Sequence, residues 1–395
     1  MNSTAARITA QLEDWREGGF GLYIHWPFCQ SKCPYCDFNS HVSARIDQQA
    51  WATAYLSEID RIAQETGTRL LNTVFFGGGT PSLMDPELVA TLLERIRQRW
   101  TCANDLEVTL EANPGSVEAG RFRRFADAGV NRLSMGVQAL NDTDLKRLGR
   151  LHSATDARRA FDIARSAFSR VSFDLIYARQ HQSAEDWAKE LHSALDMAVD
   201  HLSLYQLTIE PGTAFGARHA QGGLKGLPDD DMSADMYLMT QDICAAKDMP
   251  AYEISNHARP GAQSRHNLIY WRYGDYAGIG PGAHGRLTLG STRYATQTPL
   301  APQVWLDQVA RLGHGETARA PIPLPEQALE YLMMCLRLRE GVDLARYTRL
   351  SGAALPEQAL KELRDQGLIQ WDETRLAATD AGRPLLNAIL RALIA

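Results

Sequence analysis

Between residues 20 and about 210 the chain alternates short β-like apolar runs with amphipathic segments, and this alternation limits the folds open to it. The runs read as strands at GLYIHW (21–26), NTVFF (72–76), LEVTLEA (106–112), NRLSM (131–135), RVSFDLI (170–176) and HLSLYQL (201–207). Helical patterns fill the gaps over Gln48–Thr66, Pro86–Trp100, Ser116–Ala128, Thr155–Ala167 and Ala184–Val199. Two of them open on N-cap signals, Asp85 before Pro86 and Glu87, and Ser116 before Glu118. Strands separated by helices of this length make right-handed βαβ units and a parallel sheet. Such a sheet, open or closed into a barrel, collects reactive groups at the carboxyl ends of its strands.

Past residue 212 the pattern loosens. Residues 216–231 read as a Gly- and Asp-rich loop, and 250–290 as an aromatic, Gly-rich stretch. From about Pro325 the chain turns helical, then runs helix, "GLI" strand, polar turn and second apolar run, the order of a winged-helix module. Residues 325–395 hold 9 Lys/Arg against 10 Asp/Glu, net −1, and the whole chain carries −6. A nucleic-acid partner normally demands a basic surface, so the module reads as a protein-contact or capping unit. The terminal PLLNAILRALIA places Asn387 and Arg391 on one polar helix stripe, which fits a helix docked on the body; a peripheral membrane contact is the lesser reading. The N-terminal MNSTAARITAQLEDWREGG lacks the apolar core of a secretory signal, and no window offers the ~18–20 apolar residues of a membrane span. The cytoplasm is the expected compartment.

Three of the six cysteines fall within eight residues, as Cys29-Gln-Ser-Lys-Cys33-Pro-Tyr-Cys36, directly after the first strand. A structural zinc site wants four N or S ligands, and only His25 or His41 stands near enough in sequence to complete it. A disulfide leaves one thiol over and suits a reducing compartment poorly. A [4Fe–4S] cube normally takes four thiolates. Three from one loop leave an iron free to chelate the amino and carboxylate groups of S-adenosylmethionine. This spacing resembles that of the radical S-adenosylmethionine superfamily.

Further polar groups stand near successive strand ends. Gly77, Gly78 and Gly79, followed by Thr80, allow a ligand to approach the backbone, whose N–H groups and carbonyls could bind a carboxylate or an amino group. Glu111 suits a ribose diol or an ammonium, and Gln138, Arg150 and Asp174 follow on later strands.

The stretches YIHWPFCQSKCPYCDFNS, FFGGGTPS, LEANPGS, GVNRLSMGVQA, LKRLGRLH, LYQLTIEPGT and HNLIYWRYGDYAGIGPGAHG are similar to the oxygen-independent coproporphyrinogen III oxidase family, most of all to its heme-chaperone branch. The resemblance implies an α/β fold: a partial (β/α)6 radical S-adenosylmethionine barrel with a small α+β winged-helix-like C-terminal domain. It divides the chain into an extension (1–19), the core (20–240), a barrel extension (241–320) and the C-terminal domain (321–395). It further implies that Cys29, Cys33 and Cys36 ligate the cluster. Tyr23, Tyr35, Gly78, Gly79, Thr80, Glu111, Gln138, Arg150 and Asp174 match positions at the S-adenosylmethionine site. His266, Tyr270 and Trp271 match an H-N-x-x-Y-W pattern linked with heme, in which an imidazole could ligate iron and the two rings could pack a macrocycle. The oxidases carry a further cysteine two residues after the third, where this chain has Phe38. That departure favours heme handling and delivery to respiratory hemoproteins at the inner membrane face over radical decarboxylation. A zinc-stabilised interaction protein is the remaining alternative, and a homodimer is left open. The family pattern D-L-M/I-Y-G-L-P is broken here to Asp174-Leu-Ile-Tyr-Ala-Arg-Gln.

Overall fold

The computed structural model describes residues 14–43, 45–115 and 119–394. The cap expected at Ser116, and most of the N-terminal stretch, lie outside the described residues. The six expected strands form β1 (Phe20–Trp26), β2 (Leu70–Gly78), β3 (Thr101–Ala112), β4 (Arg132–Gln138), β5 (Arg170–Tyr177) and β6 (His201–Gln206). They lie side by side in chain order and all run parallel. Between them run α1 (Gln48–Thr66), α2 (Pro86–Arg99), α3 (Phe122–Ala128), α4 (Ala154–Ala167) and α5 (Ala184–Met197). Asp47 caps α1, accepting from the Gln49 and Ala50 N–H groups, and Ser153 closes a capping box with Asp156 on α4. Asp85 sits at the start of α2 without a side-chain cap; its carboxylate pairs with Arg121 instead.

The sheet extends beyond these strands. Beyond β6 lies β7 (Asn256–Ala258), antiparallel; beyond β1 lie β8 (Asp275–Ile279), then β9 (His284–Leu289), β10 (Thr292–Gln297) and β11 (Ala318–Pro321). Strand β8 is parallel to β1, whereas β9 to β11 are antiparallel. The described sheet stays open, with β11 and β7 as its edges. Short α6 (Arg265–Trp271) packs against β1 and β2, its approach permitted at Gly21, where a Cβ would stand 3.0 Å from Ile269 Cδ1 and 3.2 Å from His266 Nδ1.

The stretch expected to be a loop over 216–231 begins as a helix, Ala214–Ala220, capped by Thr213. Gly216 does not interrupt that helix: its missing Cβ admits the Glu210 carbonyl into the first turn. The C-terminal portion has its own core, with Leu332, Leu336, Val342, Leu376 and Ile389 all fully buried. Its "GLI" segment and the following run pair as antiparallel strands Ile369–Trp371 and Arg375–Ala378. The last helix, Leu386–Ile394, buries Leu386, Ile389 and Leu393 and exposes Asn387 and Arg391. A buried ion pair, Arg346 to Asp14 at 2.8 Å, ties this portion to the start of the described chain.

Candidate functional site

The cysteine loop leaves β1 at Trp26, a fully buried ring packed against Phe28 and Trp51. Its tip is held from the far side. Gly149 has φ +68, and a Cβ there would stand 2.6 Å from Pro34 Cδ. The Phe215 N–H donates to the Pro34 carbonyl at 2.8 Å, and Tyr35 packs against the Phe215 ring. Asn39 donates to the carbonyls of Pro281 and Leu300, which pins the loop's end to the Gly-rich turn after β8 and to the segment that follows β10.

This loop closes a cavity at the carboxyl ends of the strands. Its lining includes Cys29, Cys33, Tyr35, Cys36, Gly78, Gly79, Thr80, Glu111, Gln138, Arg150 and Asp174. Of the S-adenosylmethionine positions singled out in the sequence, only Tyr23 is not part of that lining. The His25 Nε2–H donates to the Asn39 carbonyl at 2.9 Å, so Nδ1 is the acceptor for the Tyr23 hydroxyl. Tyr23 therefore commits its O–H to the protein, and burial together with Glu111 nearby drives its pKa far upward. Phe38 stands at the cavity mouth, 62% exposed.

The glycine run behaves differently from the expectation that its N–H groups are open to a ligand. Gly78 N–H donates to Glu111 Oε2 at 3.1 Å, Gly79 N–H to the Trp26 carbonyl at 2.7 Å, and Thr80 N–H to the Phe28 carbonyl at 2.8 Å. A Cβ on Gly78 would collide with the His25 ring, and one on Gly79 with Phe28 backbone. The glycines thus let the second strand lie against the cysteine loop, leaving carbonyls and the Thr80 hydroxyl for a ligand.

Two carboxylates share the floor. Burial, then the neighbouring Asp174, pushes Glu111 up to about 8; burial likewise raises Asp174 to about 6. Both are poised to accept positive charge from a ligand. Burial also raises the Cys29 and Cys36 thiols, so a thiolate there calls for a cationic partner such as iron. Arg150 reaches the Cys33 sulfur at 3.2 Å and the Gly136 carbonyl at 2.7 Å, while its Nε is buried without a partner. Gln138 adopts φ +73, in the sparsely populated left-handed region, at an irregularity in the pairing of β4 with β5.

Asn113, not among the site residues expected from sequence although it lies within LEANPGS, joins these parts. Its amide donates to the Thr80 hydroxyl at 2.9 Å and accepts from Arg150. Thr80 in turn donates to the Cys29 sulfur at 3.3 Å. A continuous hydrogen-bonded chain therefore runs from Cys29 to Cys33. An Asn placed two residues beyond a strand-end Glu was the available signal.

His266 lies elsewhere, on α6 in the interior, 1% exposed. Nδ1 bonds the Thr73 hydroxyl and Nε2 the Tyr270 hydroxyl, both at 2.7 Å, and the ring stacks on Phe75. Burial lowers its pKa to about 3, so it is neutral. As placed, neither ring nitrogen is open to a metal. Trp271 is half-buried beneath the Arg337 guanidinium. The two imidazoles considered for zinc are likewise engaged: His25 as above, and His41 with the Asn39 side chain at 3.0 Å.

A parallel sheet with a three-cysteine loop at the carboxyl end of its first strand defines the class, that of the radical S-adenosylmethionine proteins. The Radical SAM superfamily model matches residues 23–194, and the HemN C-terminal domain model residues 322–385. Over its full length the fold is similar to that of the Escherichia coli coproporphyrinogen III oxidase HemN, with TM-score 0.79 and 22% identity, covering 93% of that chain. Among curated relatives, the Escherichia coli heme chaperone HemW is 37% identical, covering 95% of this chain and 98% of its own. The bovine mitochondrial radical S-adenosyl methionine domain-containing protein 1 is 39% identical, covering 94% and 87%. The chain belongs to the HemW family. The superfamily implies a [4Fe–4S] cluster and S-adenosylmethionine as cofactors. No helix among the described residues is long and apolar enough to cross a membrane.

Proposed function

We propose that this protein is a heme chaperone that holds a [4Fe–4S] cluster on Cys29, Cys33 and Cys36, binds S-adenosylmethionine beside it, and passes heme to acceptor hemoproteins. The working site is cytoplasmic and the acceptors respiratory, at the inner membrane face. Residues 20–240 form the cluster-bearing core, 241–320 its extension and 321–395 the C-terminal domain. The donor set supports the cluster: three thiols line one cavity from a single loop, and the Arg150 guanidinium in the same lining donates to the Cys33 sulfur at 3.2 Å. A bound cluster would supply one-electron reduction of the sulfonium. The protein's own groups do the rest. Glu111 and Asp174 take the ligand's hydroxyl or ammonium groups, Gln138 supplies an amide, and Thr80 and Arg150 steady the thiolates.

The observation that carries heme handling over porphyrinogen decarboxylation is Phe38, an exposed apolar ring at the mouth where the oxidases have a further thiol. HemW-named relatives of nearly equal length support the same reading. Ligation of heme iron by His266 would require a side chain to move aside, Tyr270 from Nε2 or Thr73 from Nδ1. Incubation of the reconstituted protein with coproporphyrinogen III, S-adenosylmethionine and a one-electron reductant tests the proposal. Porphyrinogen is expected to persist; protoporphyrinogen formed over many turnovers would refute it.

A further inference from the structure

The break in the D-L-M/I-Y-G-L-P pattern falls at Ala178-Arg179-Gln180, and the structure gives Arg179 an interior location. Its side chain is 3% exposed. Ala178 holds φ +55, in the left-handed region, at the turn after β5, and the Arg179 side chain that follows reaches across to the end of β4. The guanidinium meets four acceptors. Nη1 donates to the Ile176 carbonyl at 2.8 Å and to the Gln138 carbonyl at 3.3 Å; Nη2 donates to Asp144 Oδ2 at 2.9 Å and to Glu190 Oε2. Glu190 uses its other oxygen to accept the Leu140 N–H at 2.6 Å. Gln182 completes the knot, accepting from the Arg179 N–H and donating to Glu190.

Every one of these anchor points on the β4 side lies within residues 138–144, the first half of the stretch 138–150 that leads from Gln138 through the helix Asp142–Arg147 to Arg150. Two cavity side chains are carried by that stretch, one of them on a backbone with φ +73 that other interactions must hold in place. A planar, permanently charged fork can hold two carbonyls and two carboxylates at once, which an ammonium cannot. We infer that Arg179 is a positioning residue for the S-adenosylmethionine pocket, fixing Gln138 and Arg150 through the segment 138–150. This inference rests on the proposed reading of that pocket as an S-adenosylmethionine site.

The test uses the cluster-loaded full chain, with wild type, Arg179→Lys, Gln138→Ala and their double variant. S-adenosylmethionine affinity is measured by equilibrium dialysis, and the reduced cluster's electron paramagnetic resonance signal is recorded with and without the nucleotide. Arg179→Lys is expected to keep its iron content but bind at least tenfold more weakly, with a diminished nucleotide-induced change in the signal. In the Gln138→Ala background the same substitution is expected to add less than its full effect. Arg346→Lys, which disturbs the buried pair with Asp14 in the C-terminal portion, is expected to lower stability and leave affinity unchanged. Arg179→Lys binding within twofold of wild type, or strictly additive losses, would overturn the inference. Wild type that takes up iron but binds no S-adenosylmethionine would overturn this inference and the functional reading together. If Arg179→Lys does not fold, the triple variant Arg179→Met, Asp144→Asn, Glu190→Gln leaves no unpaired buried charge and carries the same comparison.

Discussion

Replacing Glu111 with Gln should stabilise the nucleotide-free protein and weaken S-adenosylmethionine binding, two effects of opposite sign from one atom change. Gln keeps an oxygen for the Gly78 N–H, bonded at 3.1 Å in the structure, and removes only the charge. Burial and Asp174 raise Glu111 from the ordinary 4.5 to about 8. Below pH 4.5 the group is protonated in both folded and unfolded chains and contributes nothing. Between 4.5 and 8 the folded protein keeps a proton that the unfolded chain has released, so stability falls as pH rises. Above about 8 the penalty is complete. At about 1.4 kcal/mol per tenfold change in proton affinity its ceiling is about 5 kcal/mol. Coupling to Asp174 and water reaching a half-buried carboxylate reduce this to roughly 2–3 kcal/mol. Anaerobic urea unfolding of cluster-loaded wild type and Glu111→Gln at pH 5, 6.5 and 8 measures it. The variant should match wild type at pH 5 and exceed it increasingly toward pH 8. A difference that does not change with pH, or a less stable variant at pH 8, would refute the argument that this carboxylate is held uncharged until a cation arrives.

Asn113→Asp removes the donor to Thr80, whose hydroxyl then turns to the new carboxylate and away from Cys29; the cluster's reduction potential should move to more negative values, and an unchanged redox titration would count against the relay. Ala178→Gly relieves a left-handed backbone at φ +55 and should raise stability by up to about 1 kcal/mol in urea unfolding, whereas a loss would show that the methyl group's packing matters more. His266→Ala leaves a cavity beside Phe75 and strands the Thr73 and Tyr270 hydroxyls, so it should destabilise the heme-free protein by roughly 2–4 kcal/mol; no loss would contradict its interior placement.

The parallel core was legible because each of its strands is a short apolar run bounded by a helix with clear periodicity, and Gln48–Thr66 was readable to the residue. Strand β8 was not. Its DYAGI sits inside a Gly-rich stretch, and its partner is β1, more than two hundred residues earlier, so no local signal announces it. The helix Ala214–Ala220 was hidden for a related reason: a glycine that looks like a breaker is tolerated where a carbonyl must come close.

Most of the cavity was legible because strand ends converge, which placed Gly78, Glu111, Gln138 and Asp174 together from topology alone. What sequence could not supply was the second layer. That the glycine N–H groups are already bonded, that Tyr23 serves His25, that Asn113 links two thiols and that Arg179 grips the 138–144 stretch are all long-range hydrogen bonds with no sequence periodicity. His266 shows the converse: its motif is conspicuous, but its ring lies among Thr73, Phe75 and Tyr270, contacts that only the fold brings about.

The central claim is heme delivery, and transfer from the loaded protein tests it most directly. Protein carrying one equivalent of hemin, freed of excess by gel filtration, is mixed with a heme-free respiratory hemoprotein, and the acceptor's Soret band is followed. The account predicts saturable one-to-one loading and appearance of the acceptor's spectrum in proportion to heme lost by the donor. Failure to retain hemin through the column, or a loaded protein that leaves the acceptor empty, would contradict it.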